Sequence, residues 1–145
     1  MESGAVPGQR GVVITDRTVN FGDLYTLSQN AGGIEFSLVS QRVYGQLVKV
    51  LYSGDAWVSP VPFGARPIAH VHPNVIPGQE VPSLADINLL SDRYYEKLLA
   101  NPNARPEPSR IVWGAGNTDN TIYYGGVGKE YTIIKTPKGN QIVYQ

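Results

Sequence analysis

The sequence contains no cysteine among its 145 residues. Disulfide bonds, thiolate metal sites and cysteine nucleophiles are therefore excluded from its chemistry. Lysine and arginine together number 12, as do aspartate and glutamate, so the formal net charge is zero. This balance argues against a nucleic-acid partner, because nonspecific binding to phosphates depends on a basic surface that releases counterions.

The sequence also has no apolar run long enough to span a bilayer, and its first residues lack the charged and apolar regions of a signal peptide. We therefore expect no membrane partner. These features predict a cytoplasmic protein or one exported by a route that does not depend on a signal peptide. The alternative is a piece cut from a longer chain.

The length predicts one domain, over residues 12–145, preceded by a flexible N-terminal arm over residues 1–11. Two helices are indicated by caps and apolar spacing, one from Asn20 to Ala31 and a longer one from Ser83 to Ala100. Between and after them, short alternating segments predict strands. The fold class that follows is α+β, with a mostly antiparallel sheet packed against two main helices. The predicted strands begin near residues 11, 34, 42, 57, 68, 110, 121, 130 and 141.

Both histidines of the chain, His70 and His72, lie in one predicted strand. Residues two apart on a strand point to the same face, so both imidazoles can reach one point. Neutral imidazole is a good zinc ligand. Asp86, in the first turn of the next helix, is the predicted third ligand. With one water, this set makes a tetrahedral catalytic site in which zinc lowers the pKa of that water to about 7.

A base is needed to take the proton of that water, and Glu35 is the candidate. It stands between apolar residues at the start of a predicted strand, where burying an unpaired acid is costly. Each assignment has a simpler alternative. The two histidines could be structural, and Glu35 could be a solvated strand residue. Glu80 could compete for either role, and Ser83 with Asp86 also forms a capping box that stabilises a helix by about 1 kcal/mol.

In these residues the sequence resembles the JAB/MPN (JAMM) metallopeptidase family, whose architecture is similar to that of cytidine deaminases. The family pattern is a Glu on an early strand, then His-x-His-Pro, then Ser-x-x-Asp on the following helix. This chain supplies Glu35, then residues 70–73 (HVHP), then residues 83–86 (SLAD), in that order. Thirteen residues separate His72 from Asp86, whereas about ten are usual in the family pattern.

The resemblance implies the role of each residue. His70, His72 and Asp86 would bind Zn²⁺, and Glu35 would act as general base and pass the proton to the leaving amine. Ser83 would donate a hydrogen bond to the developing oxyanion. The implied activity is that of a zinc metallopeptidase, which hydrolyses a peptide or isopeptide amide bond in a protein or peptide substrate.

The closing residues 131–145 resemble the end of JAB-like domains found in bacterial polymorphic toxins and related secreted proteins. This likeness implies an effector or toxin module, with an immunity or carrier protein as a further partner. Two alternatives remain open. The chain could be a non-catalytic protein-binding domain on the same fold, or a metal-dependent nuclease toxin, which the neutral charge disfavours.

Overall fold

The structure is a computed structural model, and it describes residues 1–3, 11–15, 20–73, 77–115, 119–126 and 131–144. Within these ranges the chain forms ten strands and two helices. The elements in chain order are β1 (Glu2–Ser3), β2 (Val12–Ile14), α1 (Phe21–Asn30), β3 (Phe36–Val43), β4 (Gln46–Ser53), β5 (Pro60–Val61), β6 (Arg66–Val71), α2 (Leu84–Ala100), β7 (Pro108–Val112), β8 (Asn120–Tyr124), β9 (Tyr131–Thr136) and β10 (Gly139–Tyr144).

Both helices begin at the caps that the sequence predicts. The side chain of Asn20 accepts a hydrogen bond from the backbone N–H of Gly22 at the start of α1. At the start of α2, Ser83 and Asp86 exchange the two hydrogen bonds of a capping box. These bonds satisfy backbone donors that the first helical turn leaves unpaired, which is why each helix starts there.

Eight strands form one sheet in the order β2-β4-β3-β6-β7-β8-β10-β9. Within that sheet β6–β7 and β8–β10 pair in parallel, and the other neighbours pair antiparallel. The parallel pair β6–β7 is joined by the crossover that contains α2, as parallel strands require. The α+β class with a mostly antiparallel sheet and two helices is therefore confirmed.

The two helices cover opposite faces of the sheet. Leu38 of β3 belongs to a buried cluster that includes a leucine of α1, whereas its neighbour Val39 belongs to a cluster that includes two leucines of α2. On β6, Ala69 and Val71 lie in the cluster on the α1 side. Because side chains alternate along a strand, His70 points to the face that α2 covers.

The N-terminal residues and the segment around residue 57 differ from expectation in detail. The predicted strand over 57–61 is limited to β5, and β5 pairs in parallel with β1 in a separate two-stranded sheet. Residues 1–3 of the predicted arm are thus held in place, with the Met1 side chain buried. Residues 4–10 of that arm lie outside the described residues. No helix in the described part of the chain combines the length and apolarity needed to cross a bilayer.

Candidate metal centre

Strand β6 carries His70 into the interface between the sheet and α2, where its side chain is fully buried. Its Nε2 lies 2.9 Å from Nε2 of His72 and 3.1 Å from Oδ2 of Asp86. Among the described residues, Nδ1 of His70 has no hydrogen-bond partner. Nε2 therefore makes both of these polar contacts, and it is directed at His72 and Asp86.

His72 follows β6 and is oriented by two hydrogen bonds. Its backbone N–H donates to the carbonyl of Val112 at 2.9 Å, which extends the pairing with β7 by one residue. Its Nδ1 lies 2.6 Å from the carbonyl oxygen of Gln79. A carbonyl oxygen can only accept, so Nδ1 carries the proton and the lone pair of Nε2 remains available as a ligand. This second bond is the kind that orients metal-binding histidines.

Asp86 occupies the third position of α2 and is fully buried. Its Oδ2 accepts a hydrogen bond from the backbone N–H of Ser83 at 2.9 Å, and the same oxygen lies 3.4 Å from Nε2 of His72. The capping and ligand interpretations of Asp86 are therefore compatible, because one carboxylate serves both. The thirteen-residue connection from His72 returns Asp86 to the histidines, although residues 74–76 of it lie outside the described residues.

The three ligand atoms fit a divalent metal ion in chemistry and spacing. Nε2 of His70, Nε2 of His72 and Oδ2 of Asp86 are 2.9, 3.1 and 3.4 Å apart. Ligands of a tetrahedral zinc ion, at bond lengths of roughly 2.0–2.1 Å, lie roughly 3.3 Å from one another. Two imidazoles and a carboxylate suit zinc and also other divalent transition metals. The group could hold a metal ion, and its ligand types do not determine which metal that is.

Burial and mutual interactions shift the pKa values of all three candidate ligand side chains. Burial lowers the pKa of His70 and outweighs the opposing effect of Asp86, which keeps this imidazole neutral. Burial opposes ionisation of Asp86, but its electrostatic interaction and hydrogen bond with His70 hold the pKa of that carboxyl well below its usual range. Burial also lowers the pKa of His72, yet the hydrogen bond and charge of Asp86 raise it on balance. A proton on His72 therefore competes with a metal ion.

Glu35 lies just before β3 and is 3% exposed. Its Oε1 accepts a hydrogen bond from Oγ of Ser59 at 2.9 Å and lies 3.2 Å from the terminal ammonium of Met1. The same ammonium lies 2.5 Å from Oδ1 of Asp86. Glu35 and Asp86 therefore approach one nitrogen from two sides, which places the predicted base beside the predicted ligands.

Ser83 is exposed at the rim of the pocket that holds these groups. Its Oγ accepts a hydrogen bond from the backbone N–H of Asp86 at 3.2 Å. The cap therefore does not use the hydroxyl proton, which can point into the pocket. This pocket has a volume of about 330 Å³. Glu80, the competing acid, belongs neither to the pocket lining nor to the ligand group. The lining includes Glu35, Trp57, His72, Gln79, Ser83 and Asp86.

Three contacts of the centre were missed by sequence reasoning. The carbonyl of Gln79 has no sequence signal, because every residue carries one. Ser59 stands in the segment predicted as a strand over 57–61, and it reaches Glu35 only after β3 and β5 are placed. The ammonium of Met1 comes from the far end of the chain, in a segment predicted to be a loose arm.

Comparisons of the chain with protein-family models, with curated proteins and with solved structures returned no match. The resemblance to the JAB/MPN family therefore rests on the residues and spacings of this sequence.

Proposed function

We propose that the chain is a zinc-dependent hydrolase of JAB/MPN (JAMM) type, which cleaves a peptide or isopeptide amide bond. One observation carries the proposal. His70, His72 and Asp86 direct ligand atoms at one point, and Glu35 and Ser83 line the pocket beside it. Five side chains of the types that the family pattern requires are thus gathered from two strand ends and one helix start. The proposal extends to an effector or toxin module with an immunity or carrier partner.

In this proposal each residue has a separate role in hydrolysis. His70, His72 and Asp86 would hold the zinc ion, which would supply Lewis acidity and make water more acidic. Glu35 accepts the proton of the attacking water and delivers it to the leaving nitrogen. Its Oε1 is suited to this role because it contacts the same nitrogen, that of Met1, as Oδ1 of Asp86 does. Ser83 donates its hydroxyl proton to the oxygen on which negative charge develops.

A second function, a non-catalytic binding domain, is favoured by one specific observation. Oδ1 of Asp86 is paired with the Met1 ammonium, and Oδ2 accepts hydrogen bonds from Ser83 and His70. The buried carboxylate is thus neutralised by the chain itself, as a domain without a metal would require. The metal content of the protein separates the two functions.

The test combines metal content with activity in one set of variants. Elemental mass spectrometry of the purified protein should find about one zinc per chain, and none in the double variant His70→Gln/His72→Gln. Glu35→Gln should keep the zinc and lose hydrolysis of peptide substrates by at least a hundredfold, since a general base contributes about 10²–10⁴-fold.

Glu80→Gln is the matched control, because it removes a nearby acid outside the ligand group. It should keep both zinc and activity. Unchanged activity in Glu35→Gln would rule out the mechanism. A protein that takes up no zinc when zinc is supplied would instead support the binding domain.

A further inference from the structure

Residues 1–3 bind across the candidate site as an extended segment. Strand β1 pairs in parallel with β5, in the register Glu2 to Pro60 and Ser3 to Val61. This pairing adds a strand to a short exposed edge through main-chain hydrogen bonds, which is a common way for a folded domain to bind an extended peptide. The backbone of the segment, rather than its particular sequence, therefore makes these contacts.

The amino group of this segment lies between the two functional carboxylates. Its nitrogen is 3.2 Å from Oε1 of Glu35 and 2.5 Å from Oδ1 of Asp86. The ligand cluster uses the other oxygen of Asp86, Oδ2, so the ammonium and a metal ion do not compete for one atom. An amine that has just received a proton from Glu35 would occupy this position.

The first side chain of the segment has an apolar pocket of its own. Met1 is 2% exposed and belongs to the buried cluster that includes Val61, Ala65 and Leu89. The residues around it therefore come from β5 and the chain after it on one side, and from α2 on the other. A large apolar side chain gains free energy from burial here, whereas glycine would gain none.

We propose that β1 shows how the leaving part of the substrate binds, and that the substrate is a linear polypeptide with a large apolar residue after the scissile bond. This inference rests on the proposed hydrolase function. Hydrolysis breaks the amide C–N bond, with the hydroxyl of water going to the acyl carbon and the proton to the nitrogen. At neutral pH the product amine also takes up the proton released by the product carboxylic acid, and it becomes an α-ammonium that continues directly into an extended strand, as in residues 1–3. An isopeptide would leave a lysine ε-amine, which has no strand adjoining it.

Binding of a short peptide tests the inference without any need for catalysis. The probe is the pentapeptide Met-Glu-Ser-Gly-Ala, labelled at its C-terminus and followed by fluorescence anisotropy with zinc-loaded protein. A chain lacking residues 1–3 should bind it at least tenfold more tightly than the full chain, because the site is then open. Nα-acetylation of the peptide, or glycine in place of its methionine, should weaken binding at least tenfold.

A second altered form of the protein is the control for misfolding of the truncated chain. Met1→Gly, produced by removal of a tag, keeps the backbone and amine of the segment but lacks the buried side chain. It should also bind the pentapeptide at least tenfold more tightly than the full chain. The inference is overturned if neither altered form binds better, or if the acetylated peptide binds equally well.

Hydrolysis by the chain lacking residues 1–3 provides the final comparison. The linear peptide Ala-Gly-Ala-Met-Glu-Ser should be cleaved before methionine at least tenfold faster than an isopeptide-linked analogue is cleaved. Pentapeptide binding without hydrolysis of either substrate would overturn the hydrolase function and leave the binding mode standing. Faster cleavage of the isopeptide would overturn this inference and leave the hydrolase function standing.

Discussion

At the scale of single residues, orientation matters as much as identity. His72 can ligate through Nε2 because its Nδ1–H donates a hydrogen bond to the carbonyl oxygen of Gln79. Asp86 divides its two oxygens, with Oδ2 directed at the histidines and Oδ1 at the ammonium of Met1. Buried polar groups are costly without partners, so the hydrogen bonds of His72 and Asp86 hold these two side chains in position.

Ser83 offers a test of one residue with two functions. Ser83→Ala should lower stability by about 1 kcal/mol, whereas Ser83→Gly should lower it by only a few tenths, since glycine is tolerated at an N-cap. Both variants lack the hydroxyl and should lose about 10²–10³-fold in kcat if that hydroxyl stabilises the oxyanion. Denaturant unfolding and steady-state kinetics give the two quantities.

Ser83→Thr is the control, because it keeps the hydroxyl and most of the cap. It should retain more activity than Ser83→Gly. Equal and near-complete activity in Ser83→Gly and in the unaltered chain would show that Ser83 acts only as a cap.

At the scale of elements, α2 carries the site at one end and is anchored to the sheet at the other. Arg93 and Lys97 of α2 pair with Glu107, just before β7. Burial opposes ionisation of Glu107, but the hydrogen bonds from Lys97 and Arg93 lower its pKa below the usual value. The sign follows from linkage: this group adds stability above the pKa of the unfolded state and loses it as pH falls through the folded pKa.

Glu107→Gln should therefore destabilise the protein at pH 7 by about 0.5–1 kcal/mol, a value kept small because the pairs are partly exposed to solvent. The difference between the variant and the unaltered chain should vanish well below about pH 4.3, the ordinary pKa of glutamate. Urea unfolding at a series of pH values measures it. Glu96→Gln, on the same helix, is the comparison. A difference that stays constant with pH would assign the effect to packing.

At the scale of the whole molecule, the candidate metal ligands come from two parts of the chain that meet only when the fold is complete. His70 belongs to β6, His72 is the residue that follows β6, and Asp86 belongs to α2. Metal binding is then coupled to folding. Zinc at a hundredfold excess over its Kd should stabilise the protein by about 2.7 kcal/mol, which raises the melting temperature by about 5–10 °C for a chain of this size.

His72→Gln should abolish most of this shift, and Glu35→Gln should keep it because Glu35 is not a ligand. Differential scanning fluorimetry with and without zinc gives the comparison. The same shift in the unaltered chain and in His72→Gln would place zinc elsewhere on the protein.

Local features of the chain were predictable because they depend on neighbours in sequence. Asn20 and Ser83 mark helix starts, since a cap needs only the next three residues. Strand periodicity placed His70 and His72 on one side of β6. The predicted closing turn over residues 138–140 is shifted, because the turn lies at residues 137–138 and β10 begins at Gly139. Pairing with β9 extends that strand to the turn itself, because Gly139 pairs with Thr136.

By itself, the sequence determined the fold class, the two capped helices and a set of five candidate site residues. The tertiary structure alone decided that Asp86 meets both histidines, that Gln79 orients His72, and that Met1 reaches Glu35. The physical reason is the separation of the contacting residues along the sequence. Caps and periodicity are local, whereas a contact such as that of Met1 with Asp86 spans 85 positions and depends on how β1, β5 and α2 pack together.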